Sequence, residues 1–144
     1  MQVNLGRFNN EVSPSIVKEM AQKAVDAQEH SYCPYSHFKV TAAVLTESGK
    51  IFTGANIENA TYTPTCCAER VAIFKAVSEG HRDIKAVLIT IAGEGTPCGV
   101  CRQVINEFNP EAFIFCANQE GEVFYEHKLN ELLPLAFGPV NLLS

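Results

Sequence analysis

Positive charge is in short supply in this 144-residue chain: 11 Lys and Arg stand against 16 Asp and Glu, for a formal net charge of -5. That balance argues against a protein built to hold a polyanion, which usually carries a basic footprint. The chain has no apolar run of the roughly eighteen residues that a membrane span needs. Its start, MQVNLGRFNNEV, lacks the charged-then-apolar pattern of a signal peptide, so a cytoplasmic protein is expected. Repeats, low-complexity tracts and linker-like shifts of composition are also missing, and residues 1–144 read as one domain. What remains is an ordinary globular mixture, 47% apolar and 19% charged, which excludes disorder.

The apolar residues are arranged in recognisable periods. Ser13 can cap a helix with Pro14 in its first turn, and Ile16, Val17, Met20, Ala21, Ala24 and Val25 recur at helical spacing up to about His30. Phe38 to Thr46 and Ile51 to Asn56 flank a Gly-containing turn and predict a hairpin. Residues 57–65 have turn chemistry and predict a loop. Cys66 to Glu79 reads as a helix stopped by Gly80, and Ile84 to Ala92 as a buried strand. Cys98 to Phe108 returns to helical spacing. Ala112 to Ala117 and Val123 to Tyr125 predict two more strands, and Leu129 to Leu133 a short helix. This order predicts an α/β fold, a three-layer α-β-α sandwich around a mixed five-stranded sheet.

Six cysteines are present, and nothing suggests the oxidising compartment that disulfides need, so metal binding or a buried thiol is the expectation for each. A single C-x-x-C, here Cys98 to Cys101, could be a redox motif or half of a zinc knuckle. A second C-x-x-C and an H-x-x-x-H pair are both missing. Cys67 and Cys98 instead sit where a loop turns into a helix, in two consecutive α-β units. Helix N-termini favour thiolate over thiol, so two that meet would hold three thiolates against one divalent ion. Three ligands leave a fourth position open, as at catalytic zinc sites. Glu69, two residues after a ligand, can face that position as a proton carrier.

These motifs resemble the zinc-dependent cytidine deaminases, whose C/H-x-E and P-C-x-x-C signatures are matched by Cys67-Ala68-Glu69 and Pro97-Cys98-Gly99-Val100-Cys101. Tyr35-Ser36-His37-Phe38-Lys39-Val40, Gly54-Ala55-Asn56-Ile57-Glu58-Asn59-Ala60-Thr61-Tyr62 and the ending Glu131 to Gly138 follow in the family's order. The short homotetrameric type matches best. The resemblance implies that Cys67, Cys98 and Cys101 ligate one Zn2+ per subunit, Cys67 rather than Cys66 because it keeps the Cys-Ala-Glu spacing. It implies that Glu69 moves protons between water at the metal and the pyrimidine, and that Arg70, with Arg102 as a second candidate, donates to the ligand sulfurs. Asn56 and Glu58 would hold ribose hydroxyls, their side chains pointing the same way if both end a strand. Phe38 would pack on the base, Ile57 and Ala68 would complete the substrate site, and Phe137 would reach a neighbouring subunit's site. The activity implied is hydrolysis of cytidine and 2'-deoxycytidine to uridine and 2'-deoxyuridine plus ammonia, in pyrimidine salvage, without nucleic-acid or membrane partners.

Two departures from the family pattern, Thr41 for a common Gly and Thr61 for a common Ser, add bulk that the sequence places near the substrate pocket. Two other readings use the same motifs. A blasticidin-type deaminase would keep the chemistry and change the nucleoside, and a structural zinc module would close the fourth position with Cys66. Cys116, inside an apolar strand, reads as a small buried hydrophobe.

Overall fold

The computed structural model describes residues 5–143. Helix α1 spans Pro14–Asp26, opens with the Ile16 N–H donating to Ser13 Oγ at 3.3 Å, and runs into a 3-10 turn over Ala27–His30. Strands β1 (Thr41–Thr46) and β2 (Ile51–Ala55) form the hairpin, with Gly49 at φ +92 in its turn. Then come α2 (Ala68–Ser78), β3 (Ile84–Thr90), α3 (Gly99–Phe108), β4 (Phe113–Ala117), β5 (Val123–Lys128), α4 (Leu129–Leu132) and α5 (Pro139–Leu143). The sheet order is β2-β1-β3-β4-β5, parallel between β3 and β4 and antiparallel elsewhere. The expected mixed five-stranded α/β architecture is the one observed.

The boundaries differ in instructive ways. The first strand begins at Thr41 instead of Phe38. Asn56 takes over the backbone ahead of it: its Nδ2 donates to Phe38 O at 2.7 Å and its Oδ1 accepts from the Val40 N–H at 3.2 Å. An amide side chain thus stands where a ladder partner would, and β2 closes one residue early. Strand β5 runs three residues further than its apolar part, because Glu126, His127 and Lys128 keep pairing with β4. Helix α5 was not expected. Neither was the role of the first turns, where Phe8 and Val12 bury against the sheet without any period to announce them.

Alternate residues of each strand serve opposite layers. Ala43, Leu45, Ala86, Leu88 and Phe115 face α1, while Ala42, Val44, Val87, Ile89, Ile114 and Cys116 face α2 and α3. With helices on both faces, β3 has to be apolar at nearly every position, and IKAVLIT is.

The topology also decides where chemistry can gather. Strands β2 and β3 are both antiparallel to β1, so they run in the same direction and end at the same edge of the sheet. One intervening strand puts those ends about 10 Å apart. Each is followed by a helix on the same face, so the N-termini of α2 and α3 return to this edge together. The segment entering β1 arrives there as well. Open α/β sheets bind ligands at such carboxyl ends.

Candidate metal centre and active site

Cys67 is the N-cap of α2, Cys98 is the N-cap of α3, and Cys101 lies in the first turn of α3. Their three Sγ atoms all lie within 4.8 Å of one another, and Cys67 Sγ is 3.8 Å from Cys98 Sγ. A tetrahedral zinc with bonds near 2.3 Å requires sulfurs about 3.8 Å apart, so the constellation fits the ion. The donors are three soft sulfurs, which favour zinc over hard cations. The Cys101 N–H donates to Cys98 Sγ at 3.4 Å, an example of helix-terminal N–H groups turned toward a sulfur. Arg70 adds a full positive charge, its Nη2 donating to Cys67 Sγ at 3.2 Å. Three thiolates on a divalent ion carry one net negative charge, and Arg70 offsets it locally. Hydrogen bonding from Cys101, helped by Arg70 and opposed by burial, brings the Cys67 thiol down to about 5.

Glu69 is 3% exposed and its Oε1 has no hydrogen-bond partner. Burial is the main cause lifting its carboxyl to about 7, and the Cys67 thiolate adds to the rise. Most buried polar atoms are paired, and an unpaired one costs about 1–3 kcal/mol. Glu69 itself lines a cavity of about 460 Å³ whose walls include Cys67, Cys98, Phe38, Asn56 and Glu58. A ligand entering this space could supply the missing partner.

Glu58, another wall of the cavity, is fastened to the loop before β1. Its Oε1 accepts from the Tyr35 and Ser36 N–H groups at 3.0 and 3.1 Å, and its Oε2 accepts from Ser36 Oγ. The Ser36 hydroxyl bond is the largest influence holding this carboxyl below its usual range. Asn56 and Glu58 do line one cavity as expected, although strand alternation is not the cause, since β2 ends at Ala55. The cross-links of the two side chains to residues 35–40 aim them.

Other expected residues lie apart from this cavity. Ile57 is tied by bridges to Tyr32 and Cys66 and is 47% exposed. Ala68 is fully buried, and its carbonyl packs against Gly54, where an added Cβ would sit 2.5 Å away. Phe137 is 60% exposed, and its carbonyl accepts from Gln103 Nε2 at 2.8 Å.

Three expectations need correction. Arg102 does not go to a sulfur: Nε donates to Pro97 O, Nη1 to Leu132 O and Nη2 to Thr96 Oγ1, at 2.7, 2.7 and 2.6 Å. One turn further along than Cys98, it meets backbone before it can reach the thiolates. Thr41 does not crowd the pocket. It is on the α1 side of the sheet, where its hydroxyl donates to Ala24 O at 2.7 Å and meets Thr90 Oγ1 at 2.5 Å. Thr61 sits in the exposed loop with its N–H on Asn59 Oδ1, outside the cavity wall.

Cavity residues that the sequence did not single out are Thr65, Ile89, Ile91 and Thr96. The two isoleucines belong to an apolar run whose signal is that of core. Thr96 carries the one available hint, its position just before Pro97-Cys98. Cys116 is buried as expected, and burial pushes its thiol up to about 12.

Residues 14–117 match the family described as the cytidine and deoxycytidylate deaminase zinc-binding region. A cytidine deaminase of Sporosarcina psychrophila is 45% identical over 129 residues, covering 88% of this chain and 94% of that protein. A probable cytidine deaminase of Dictyostelium discoideum is 40% identical over 134 residues, covering 88% and 90%. Among solved structures, the cytidine deaminase of Burkholderia pseudomallei superposes with a TM-score of 0.77 at 40% identity, covering 83% of this chain and 97% of that one. With Cys67, Cys98 and Cys101 gathered at the spacing zinc requires and Glu69 beside them, this chain belongs to the zinc-binding cytidine and deoxycytidylate deaminase family.

Proposed function

We propose that the protein hydrolyses cytidine and 2'-deoxycytidine to uridine and 2'-deoxyuridine plus ammonia, a step of pyrimidine salvage. One observation supports this most directly: Glu69, with one buried oxygen unpartnered, shares a cavity with Asn56, Glu58 and two of the three zinc-spaced thiols. Cys67, Cys98 and Cys101 would hold zinc, a Lewis acid that would lower the pKa of water toward neutrality and so supply hydroxide as the nucleophile. Glu69 takes the proton lost by the attacking water and delivers it to ring N3. Glu69 then carries the remaining proton of the new C4 hydroxyl to the departing amine, so that the C–N bond breaks, ammonia leaves and the 4-oxo ring remains. Its burial suits this work, because a carboxyl lifted toward neutrality can both accept and return a proton.

Phe38 covers one face of the pyrimidine, and Ile89 and Ile91 keep water from its edge. Glu58 acts as an acceptor for a sugar hydroxyl, since its carboxylate is held ionised and keeps lone pairs beyond those used by Tyr35 and Ser36. Asn56 retains a second amide N–H for the sugar after its bond to Phe38 O. We further place the enzyme in the cytoplasm, which its free thiols suit, as a homotetramer in which Phe137 reaches a neighbouring site.

Ultraviolet monitoring of cytidine with zinc-loaded protein tests the reaction. Loss of cytidine to uridine with one zinc per chain is expected. Bound zinc without conversion rejects the substrate, and failure to bind zinc rejects the whole reading. Light scattering at four times the chain mass is the expected assembly, and a fully active monomer overturns it.

A further inference from the structure

Arg102 makes three short hydrogen bonds, all to neutral oxygens and none to another charge. Two of the acceptors, Thr96 Oγ1 and Pro97 O, are the two residues immediately before Cys98. Thr96 and Cys98 are both walls of the active cavity. The third acceptor, Leu132 O, is at the last residue of α4, where helix carbonyls lack internal partners. Beyond it the chain runs six residues to Gly138, and Gln103 and Asn106 of α3 both donate to Phe137 O, at 2.8 and 3.3 Å. One helix therefore bears two thiols at its start, the loop leading to them, and both ends of the segment that carries Phe137.

A planar guanidinium can hold three acceptors in one fixed geometry, and an ammonium on a flexible stem cannot. We infer that Arg102 is a positioning residue: it locks the Thr96–Cys98 lip of the cavity onto α3 and onto the end of α4. Its role in metal retention rests on the zinc reading above, whereas its hold on the loop does not. Cys98 is exposed, unlike the buried Cys101, so its sulfur depends on the loop to stay in register. Loss of the lock frees the ligand most open to solvent and the Thr96 wall together. Arg70 acts differently, through direct contact with a sulfur.

The test compares Arg102→Ala, Arg102→Lys, Thr96→Val and Gln103→Ala in the full chain with the wild type. Zinc transfer to a chromophoric chelator is followed well below the unfolding midpoint. Arg102→Ala is expected to release zinc about 10- to 100-fold faster, the usual cost of losing a group that orients a metal ligand. Arg102→Lys restores only part of the retention and Thr96→Val gives an intermediate rate. Gln103→Ala, which loosens Phe137 alone, keeps the wild-type rate. KM for cytidine rises more than kcat falls.

Hydrogen exchange on zinc-free protein supplies a readout independent of metal: the amides of residues 93–96 and 98 are expected to exchange faster in both Arg102 variants, with the centre of α3 unchanged. Wild-type zinc release from a folded Arg102→Ala, or unchanged exchange at these amides in Arg102→Lys should the alanine variant not fold, overturns the assignment. Wild-type protein without zinc or turnover rejects the proposed function instead, and the exchange result still decides the loop lock.

Discussion

The two faces of the sheet are made by alternate residues of the same strands, yet they treat buried polar groups in opposite ways. On the α1 side, Thr41 and Thr90 share a hydrogen bond, Thr41 reaches Ala24 O, and Gln28 Nε2 approaches Thr90 at 3.5 Å. On the α2 side, the structure leaves Glu69 Oε1 and Arg70 Nε without partners, the two such buried side-chain atoms among the described residues. The α1 face is built for stability alone. The other face gives up about 1–3 kcal/mol per unpaired group to keep a charge carrier ready for a ligand. Substitutions should therefore separate: changes on the site face remove function first, and changes on the α1 face remove stability and leave function intact.

Glu69→Gln is the hardest test of that separation. Turnover of cytidine should fall by about 10²–10⁴, the range for loss of a general acid–base group. The unfolding midpoint should hold or rise, because a neutral amide replaces a carboxyl that burial disfavours. Steady-state rates and thermal melts on the same preparation check both halves. Retained turnover would show that another group carries the proton.

Gly54→Ala tests how closely the site face is packed. A Cβ there would lie 2.5 Å from Ala68 O and 2.6 Å from Ala72 N, both backbone atoms in the first turns of α2. The helix has to move away, at a cost of about 1–3 kcal/mol. Its N-cap is Cys67, so the variant should lose zinc stoichiometry along with its denaturant midpoint. Loss of stability with full zinc binding would mean that the first turn can shift without dragging its ligand.

How much of this could be read in advance follows the same division between local and distant causes. The IKAVLIT run announced a strand covered on both faces, and the capped, amphipathic Pro14–Asp26 announced a surface helix, because periodicity is local. The three cysteines were legible because Cys67-Ala68-Glu69 and Pro97-Cys98-Gly99-Val100-Cys101 resemble the deaminase motifs, a signal carried by short local runs. The destination of Arg102 was not, since Leu132 is 30 positions away in the chain. The direction of Thr41 was misread because a place in a motif does not fix a face: Thr41 follows Ala43 and Leu45 to the α1 side, while Val40 and Ala42 turn to the other. Helix α5 and the burial of Phe8 escaped notice because short segments docked by one or two residues carry no period.

Thr41→Val examines the α1 face at its polar centre. The substitution keeps the shape and removes the hydroxyl that Ala24 O and Thr90 use. A loss of about 1–2 kcal/mol is expected in urea unfolding, with kcat/KM for cytidine unchanged. A specific effect on KM would show that this face communicates with the cavity after all.

The smallest effect expected is that of Ser13→Ala, at the far end of the same layer. Ser13 Oγ accepts from the Ile16 N–H at a long 3.3 Å and also meets Ser15 Oγ at 3.1 Å, so the cap is weak and partly shared. Its removal should cost about 0.5 kcal/mol, the low end for an N-cap serine. Helix α1 packs on β1 and β3 from the side opposite the thiols, and Met20 and Ala24 are buried in that contact. The loss should therefore appear in the urea midpoint, while zinc release and turnover stay at wild-type values. Faster zinc release from this variant would break the comparison at its root, because the sheet would then be transmitting strain from the layer that lacks the site to the layer that holds it.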